Sequence, residues 1–454
     1  MAEPFYTSIA RKQQKAVSPK RPQGDSHKQP QGDFSKQRNE DNIPKADSAK
    51  KIIAHKKMFD LSALDEKAKD VLDNFDDIIQ GVRPLNAKQR SLLSSDIARL
   101  SRSLTSERSE RRRGYMNETT ALTAYAHYFT WWNLVRLTHL FSAFPQKHFA
   151  LNDGDVCLDI GSGPLTLPIA LYLSHRELRA KKLTWYCLDL SPNSLALGED
   201  LFLSIASKLD EECGWKIIRV KGSLGTSIKQ KAALITCANM FNETIGEGEA
   251  NLELAAKKFS LSLMSYADTG SEEQRKKPSI LVIEPGVPKS ARFISLLRDA
   301  LIRRSYGVIS PCPHFQTCPM NGQKRGKGGK AGKWCNFAFS TENAAPKKLL
   351  KLSENAKLSK DRAVLSFVFT KLNAAQPPLN SSLFRITSDA IRLEEKKIAH
   401  YACTSDGLAL VVGGGKSIVS GDLLELDGTK SKAYVKSLAI DKKSGAFIQA
   451  VKKA

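Results

Sequence analysis

From Asp155 onward, short apolar runs alternate with stretches in which apolar residues recur at three- and four-residue steps. Apolar runs of about 4–8 residues are typical of buried strands, and the periodic stretches are typical of amphipathic helices. The predicted strands cover residues 156–159, 183–189, 217–220, 234–238 and 280–283, and the predicted helices cover 165–173, 194–208 and 291–304. Strands that alternate with helices predict an α/β fold with a doubly wound parallel sheet.

The segments before and after these strands and helices predict three further parts of the chain and one insertion. Residues 1–57 are rich in Lys, Gln, Pro and Ser and lack apolar periodicity, which predicts a flexible, disordered basic arm. Helical periodicity predicts an N-terminal helical domain over 58–150. Two more strands, at 308–310 and 363–371, complete a sheet domain at 151–371 with a cysteine-bearing insertion at 311–362. Short alternating strands and glycine turns predict a small β-rich domain over 372–454.

The charge balance indicates an anionic partner. The 454 residues include 70 Lys and Arg against 47 Asp and Glu, a formal net charge of +23. Nucleic acid is the commonest partner of so basic a chain, and a merely soluble basic surface is the alternative. Arg108 and the run at 111–113 are candidate phosphate contacts, or else one solvated helix face. The aromatic residues expected to form helix core rather than a base-stacking platform are Tyr125, Tyr128, Phe129, Trp131 and Trp132.

A glycine-bearing loop follows the first predicted strand and contains Asp159, Gly161 and Gly163. Glycines at such a turn let the backbone approach a ligand, and the acid can hydrogen-bond it. The second strand ends at Asp189, where a carboxylate can accept both hydrogen bonds of a ribose diol. Leu165 stands where the dinucleotide fingerprint often has its third glycine, which disfavours a pyrophosphate. The pattern predicts a nucleoside ligand, and an ordinary tight turn beside a strand-end aspartate is the alternative.

This loop resembles the D-x-G-x-G loop of S-adenosylmethionine-dependent methyltransferases, whose ligand carries no phosphate. The resemblance implies that Asp159, Gly161 and Gly163 face the methionine part of S-adenosylmethionine. It also implies that Asp189 faces the ribose.

The fourth predicted strand ends in polar side chains that include Asn239 and Asn242. These amides are candidates to line the methyl-donor pocket or to orient a target base, and a capping or turn role is the alternative. The segment lacks the Asn/Asp-Pro-Pro-Tyr sequence of many amino-methylating enzymes. Cys237 also lacks the preceding proline typical of the cysteine that attacks C6 of cytosine. We therefore assign Asn239 to the cofactor pocket and assign no catalytic residue.

Four of the eight cysteines lie in the C-terminal third of the chain. Cys312, Cys318 and Cys335 fall in one segment among Pro, His and Trp, and Cys403 follows downstream. Eight cysteines are too sparse for a secreted disulfide scaffold in so long a chain. Three thiols in one segment are hard to explain as core filling, which indicates a metal site in a reducing compartment.

The cysteine spacing favours an iron–sulfur cluster over zinc. Five residues separate Cys312 from Cys318, unlike the paired knuckles of common zinc modules. A cluster takes four thiolates, often with one remote in sequence, and Cys403 is the natural fourth ligand. In the zinc alternative His314 or His400 replaces one thiol. A metal-free core is the third interpretation.

The first residues lack the apolar core of about 7–15 residues that a secretory signal has, and no apolar run approaches the ~20 residues of a membrane span. We expect a non-secreted protein without a membrane partner. Its location would be cytoplasmic in a bacterium, and the mitochondrial matrix or another organelle in a eukaryote. The basic arm is compatible with a transit peptide, although the acids Asp25, Asp33, Glu40 and Asp41 argue mildly against one.

The order of segments after the fourth strand resembles one family. The sequence LVIEPG ends at Gly286, PCPH follows at 311–314, and Trp334 precedes Cys335 before the late Cys403. This order resembles the mitochondrial-type ribosomal small-subunit Rsm family of S-adenosylmethionine methyltransferase-like assembly factors, from about residue 155 to the C-terminus. The chain departs from the family pattern in a long Gly/Lys loop at 321–333. It also has Lys333 and Asn336 where members commonly carry Asp and His.

The resemblance implies a Rossmann-like class I methyltransferase sheet and a partnership with the rRNA and proteins of the small ribosomal subunit. It implies a [4Fe–4S] cluster on Cys312, Cys318, Cys335 and Cys403. We expect a monomer. One function is S-adenosylmethionine-dependent rRNA methylation. The second is non-catalytic RNA binding in subunit assembly, with the cluster as a structural or sensing element, and a zinc-dependent RNA-binding protein is the third.

Overall fold

The computed structural model describes residues 49–105, 114–244, 249–271, 276–323, 332–358, 360–376, 382–415, 417–428 and 432–452. All of them belong to one unit of the chain, Glu40–Ala454. Residues 1–48 of the predicted arm and the arginine run at 108–113 lie outside the described residues. Among those that are described, no helix is long and apolar enough to cross a membrane.

The N-terminal part contains strand β1 (Lys50–Lys56) and then the helices that the periodicity predicts. They are α1 (Glu66–Asp73), α2 (Phe75–Val82), α3 (Ala87–Leu104), α4 (Thr119–Ala124) and α5 (Trp131–Ser142). Asn86 and Gln89 form a reciprocal capping box that starts α3. A π-helical turn, Tyr125–Thr130, joins α4 to α5.

The aromatic residues of this region divide between core and surface. Tyr128, Trp131 and Trp132 are buried, which confirms the predicted core role for these three. Tyr125 and Phe129 are partly exposed, and their rings stack with centroids 5.5 Å apart. The helical region therefore offers an aromatic pair that the core does not fully enclose.

The central sheet confirms the predicted α/β architecture. Its strands are β2 (Val156–Ile160), β3 (Thr184–Asp189), β4 (Lys216–Lys221), β5 (Leu234–Ala238), β6 (Ser279–Pro285), β7 (Tyr306–Ser310), β8 (Phe337–Ser340) and β9 (Arg362–Leu372). Their order is β4-β3-β2-β5-β6-β9-β7, with β8 paired to β9. The strands from β2 to β6 are parallel, whereas β9 runs antiparallel between β6 and β7. The chain order reverses at β2, so the carboxyl ends of β2, β3 and β5 form the crevice where such sheets bind ligands.

Helices cover both faces of this sheet. They are α6 (Thr166–Ser174), α7 (Pro192–Leu209), α8 (Phe241–Thr244), α9 (Glu249–Met264), α10 (Pro288–Ile302) and α11 (Lys347–Asn355). One apolar core contains α5, α6 and α7 together with the N-terminal helices. The other contains α9 and α10. The helical region and one face of the sheet thus share a single core.

The C-terminal part forms a second sheet. It contains β10 (Leu383–Ile386), β11 (Ile391–Arg392), β12 (Ile398–Thr404), β13 (Gly407–Gly413), β14 (Leu423–Leu426) and β15 (Phe447–Lys452), with a short helix α12 (Lys432–Lys436). The order is β10-β14-β1-β15-β13-β12-β11, and β10 also pairs with β12. This extra pairing closes six strands into a ring, which removes the exposed edges that an open sheet would have. We call this ring the C-terminal barrel.

Strand β1 corrects the predicted arm. The prediction that residues 1–57 are flexible is wrong for Lys50–Lys56, which pair antiparallel with β14 and parallel with β15. The segment looked like a charged tail because Ile52 and Ile53 are its only large apolar residues. Its hydrogen-bond partners lie at the far end of the chain, so local periodicity could not reveal them.

Candidate functional site

The glycine loop between β2 and α6 folds against the end of β3. The N–H groups of Gly161 and Ser162 both donate to the carbonyl of Leu188, at 2.8 and 2.9 Å. Gly161 has a φ of +72°, in the left-handed region that glycine adopts readily. A Cβ added there would lie 3.0 Å from the Cβ of Met240. The loop therefore needs glycine at this position for its backbone angle and for the close approach of the segment after β5.

Asp189 ends β3, and its carboxylate holds the glycine loop. Oδ2 accepts from the N–H of Gly163 at 2.9 Å, and Oδ1 accepts from the N–H of Ser191 at 2.8 Å. Burial raises the pKa of Asp189, and these backbone donors oppose the rise. A carboxylate has about four acceptor positions, and the backbone N–H groups of Gly163, Ser191 and Leu190 take up part of that capacity. The structure thus brings the loop and Asp189 together, as the sequence predicted.

Asp159, which the sequence predicts to contact a ligand, is buried in the structure. Its side chain is only 2% exposed, and Oδ1 accepts from Oγ1 of Thr236 at 2.7 Å. Burial raises the pKa of Asp159 to about 6, while hydrogen bonds from Thr236 and Ser162 act to lower it. Asp159 therefore ties β2 to β5 beneath the loop. Its contact with the methionine part of a ligand stays a prediction.

Asn239 follows β5 at the same edge of the sheet and is held by an arginine that sequence reasoning missed. Its φ is +60°, a backbone conformation that costs a non-glycine residue about 1–3 kcal/mol. Nη2 of Arg136 on α5 donates to Oδ1 of Asn239 at 3.1 Å and to Oδ1 of Asn133 at 2.9 Å. Because a guanidinium only donates, both amide oxygens face Arg136 and both NH2 groups face away from it.

Tyr125 also contacts the polar group formed by Asn133, Arg136 and Asn239. Its hydroxyl lies 3.5 Å from Nδ2 of Asn133. Burial raises the pKa of Tyr125, and the charges of Glu243 and Asp189 act in the same direction, whereas the charge of Arg136 acts to lower it. Tyr125 also begins the π-helical turn, a feature frequent at functional sites. The signal in the sequence was the polar pair Asn133 and Arg136, three residues apart in the first seven residues of α5, which are otherwise apolar.

The Glu-Pro-Gly end of β6 connects this edge to the inserted segment. Glu284 is fully buried, and its Oε1 accepts from the N–H of Phe241 at 2.9 Å. Two residues later, the carbonyl of Gly286 accepts from Nε1 of Trp334 at 3.1 Å. A Cβ at Gly286 would lie 2.4 Å from Cγ1 of Val364, so glycine is what lets β9 pass. Two of the segments that carry the family resemblance are therefore in direct contact.

The inserted segment and the C-terminal barrel carry the four predicted cysteines, and the two parts meet beside Cys403. Cys312 and Cys318 follow β7, Cys335 precedes β8, and Cys403 lies on β12. All four are free thiols. Nε2 of His314 lies 3.1 Å from Sγ of Cys403, which joins the inserted segment to the barrel.

The thiols also affect one another electrostatically. Burial, and to a smaller extent the charge of Cys312, raise the pKa of Cys318 to about 11, while the charge of Arg298 acts to lower it. The pKa values of Cys335 and Cys403 are raised well above the usual range by burial and by neighbouring thiols. Within the described part of the chain, no group of three or more His, Cys, Asp or Glu side chains is placed to hold a metal ion. The alternative ligand His400 has its Nδ1 3.3 Å from the carbonyl of Ser388. Metal ligation by these residues stays a prediction.

The two residues that depart from the family pattern pack around the cysteine segment. Nζ of Lys333 lies 3.7 Å from the ring centroid of Tyr401, on the same strand as Cys403. Nδ2 of Asn336 donates to the carbonyl of Trp334 at 3.3 Å. Lys333 thus adds a contact between the inserted segment and the barrel.

Several solved structures are similar to this chain. A ribosomal protein L11 methylase from Lactobacillus delbrueckii subsp. bulgaricus is 15% identical, with a match covering 40% of this chain and 72% of that one, at a TM-score of 0.25. A precorrin-6y C5,15-methyltransferase from Geobacter metallireducens is 11% identical, over 59% of this chain and 94% of that one, at 0.28. A methyltransferase from Geobacter sulfurreducens, solved with S-adenosyl-L-homocysteine, is 13% identical. The match covers 60% of this chain and 97% of that one, at a TM-score of 0.29. These likenesses are too weak to establish a function.

Family membership rests on the sequence. No curated protein matches the chain. The family model for the mitochondrial small ribosomal subunit protein Rsm22 matches residues 124–412, more than half of the chain. The matched range contains the glycine loop, Asp189, Asn239 and the cysteine segment through Cys403. The chain therefore belongs to the mitochondrial small ribosomal subunit Rsm22 family.

Proposed function

We propose that this chain is an S-adenosylmethionine-binding, methyltransferase-like factor that acts on the rRNA of the small ribosomal subunit. The observation that carries the proposal is the hydrogen bond from Gly163 to Asp189 at the carboxyl edge of β2 and β3. This edge is where doubly wound sheets bind nucleoside ligands. The family name supports the small ribosomal subunit as partner, and it supports a mitochondrial location in a eukaryote. The net charge of +23 suits an RNA partner.

At this edge, Asp189 would accept the ribose hydroxyls, and Gly161 and Gly163 would let the methionine part approach the backbone. S-adenosylmethionine would supply an electrophilic methyl group on its sulfonium. The chain's own contribution would be positioning. Arg136 fixes the Asn239 amide so that its NH2 group faces away from the guanidinium.

Calorimetry with S-adenosylhomocysteine tests this site. The wild-type chain should bind, and Asp189→Ala should weaken binding by on the order of 1.5–3 kcal/mol for each hydrogen bond lost from the charged acceptor. Asp200→Ala is the matched control, because Asp200 is an exposed acid in α7, the helix that follows Asp189 in the chain. Equal affinity for all three proteins, or no binding by the wild type, would refute the site.

The second candidate is a non-catalytic RNA-binding assembly factor. It is favoured by the contact between Arg136 and Asn239, because the amide oxygen that could orient a target base is already bound within the chain. Mapping of methylated bases in small-subunit rRNA from cells that lack the protein decides between the two. Loss of one methylated base supports the enzyme. A complete set of methylated bases with impaired subunit assembly supports the assembly factor.

We also propose a metal centre on the four thiols, with a [4Fe–4S] cluster as the first choice and zinc as the alternative. The donor chemistry supports the proposal, because all four residues are free thiols and Nε2 of His314, two residues after Cys312, lies 3.1 Å from Sγ of Cys403. In addition, Nδ1 of His314 is buried without a hydrogen-bond partner among the described residues. The ligands would be Cys312, Cys318, Cys335 and Cys403. Iron, sulfide and zinc analysis of protein purified without oxygen tests this part of the proposal.

A further inference from the structure

Two arginines donate hydrogen bonds to the loop that carries Cys312 and Cys318. Arg298 on α10 is 3% exposed, and its Nη2 donates to the carbonyls of His314 and Gln316 at 3.0 and 2.8 Å. From the barrel, Nε of Arg385 on β10 donates to the carbonyl of Pro311 at 2.8 Å. The loop is therefore held through its backbone from two sides, by guanidinium groups on separate elements.

Arg385 is also the neighbour of the fourth cysteine. In the antiparallel pairing of β10 with β12, Arg385 is the register partner of Cys403. Such cross-strand partners have Cβ atoms about 4.5–5.5 Å apart. Nη1 of Arg385 donates to the carbonyl of Gly421 at 2.6 Å, which anchors the side chain within the barrel. One side chain thus touches the inserted segment and stands beside the barrel's cysteine.

The two arginines differ in how their charge is compensated. Arg298 has an ion pair with Asp299 at 2.6 Å, whereas the hydrogen bonds of Arg385 go to carbonyl groups. A guanidinium removed from water costs several kcal/mol unless negative charge compensates it. Burial lowers the pKa of Arg385 to about 10, and the groups that oppose this include the thiols of Cys312, Cys335 and Cys403 together with Asp422. Thiolates at the cysteine site would supply the missing negative charge.

We propose that Arg298 and Arg385 are the counter-cations of the four-thiolate site. This inference rests on the metal centre of the proposed function. Four thiolates around a zinc ion, or around an oxidised [4Fe–4S] core, leave roughly two net negative charges. Arg385, together with Arg298, which also pairs with Asp299, offsets part of that charge, and their hydrogen bonds fix the loop that carries two of the ligands.

The test compares anaerobically purified full-length variants in their metal content and in the rate at which a chelator removes the metal. Arg385→Gln and Arg298→Gln should each lose metal about 10–100-fold more readily, which is the usual effect of removing a group that orients metal ligands. Arg385→Lys keeps the charge and should recover part of this loss. Arg362→Gln is the matched control, because Arg362 forms an exposed ion pair with Asp389 and should behave as wild type.

If the metal is iron, Arg385→Gln should also shift the reduction potential to a more negative value, because the site has lost a positive charge and accepts an electron less readily. Arg385→Lys should restore the potential. Circular dichroism and S-adenosylhomocysteine binding show whether each variant is folded. If Arg385→Gln does not fold, Arg298→Gln and Arg385→Lys carry the test.

Equal chelator release from the wild type and from both glutamine variants would overturn the counter-cation role while leaving the metal centre intact. A wild-type protein with neither iron nor zinc would overturn the metal centre and this inference together. Binding of S-adenosylhomocysteine reports on the donor pocket separately, so these failures are distinguishable.

Discussion

Truncation of Ile52 tests whether β1 belongs to the C-terminal barrel. Ile52 is 8% exposed and packs in the same apolar cluster as Leu424 and Leu426. Ile52→Ala removes three carbons, which at about 0.8 kcal/mol per buried methylene corresponds to about 2 kcal/mol. A residual cavity would add to this loss, within the range of about 2–5 kcal/mol for such substitutions.

Ile53 provides a control within the same strand. It is 53% exposed, so Ile53→Ala removes the same atoms from the solvent side and should cost under about 0.5 kcal/mol. Hydrogen exchange at the amides of β12 and β13 measures local opening of the barrel. A loss of about 2 kcal/mol should speed exchange there about 30-fold in Ile52→Ala and leave the amides of α5 unchanged. Equal exchange in the two variants would refute the placement of β1.

Three further outcomes follow from the site and the charge. Burial raises the pKa of Asp159 from 3.8 to about 6, so between pH 3.8 and pH 6 the folded chain binds more protons than the unfolded chain. The free energy of unfolding should therefore fall by on the order of 3 kcal/mol as the pH rises through this range. In the Asp159→Asn variant, a plot of unfolding free energy against pH should lack the decrease that Asp159 causes. A plot identical to that of the wild type would contradict the burial of Asp159. Cys403→Ser should remove the brown colour of anaerobic protein and expose the barrel to protease, whereas Cys213→Ser, at an exposed free thiol, should do neither. Affinity for a small-subunit rRNA fragment should fall by about 10³ or more between 50 and 200 mM salt if six or more phosphates are contacted, and a flat response would favour a merely soluble basic surface.

The sequence predicted the structure best where contacts are local or where apolar residues recur with a regular period. Gly161, Gly163 and Asp189 could be predicted to meet, because the carboxyl ends of neighbouring parallel strands share one edge. Apolar periodicity also predicted the strands β2 to β7 and β9 and the helices α6, α7 and α10, whereas β8, α9 and α11 were not predicted. Cys403 was predicted as the fourth ligand because a cluster takes four thiolates, often with one remote in sequence, and the family resemblance implied the same set.

The contacts that escaped prediction are long-range ones made by polar side chains or by short strands. Arg136 and Asn239 lie on separate elements, and no periodicity relates a residue of α5 to the segment after β5. Arg385 reaches the cysteine loop only because the barrel closes through β10 and β12. In the same way, β1 takes its partners from the other end of the chain, and its two isoleucines were too few to predict a strand.

A crystal structure of the chain with S-adenosylhomocysteine tests the central claim most directly. The proposed function predicts the ligand at the carboxyl edge of β2 and β3, beside the loop that Gly163 joins to Asp189. The ribose hydroxyls should lie within about 3 Å of the Asp189 carboxylate. A ligand bound elsewhere, or none at a concentration that saturates methyltransferases, would contradict the assignment of this edge as the donor pocket.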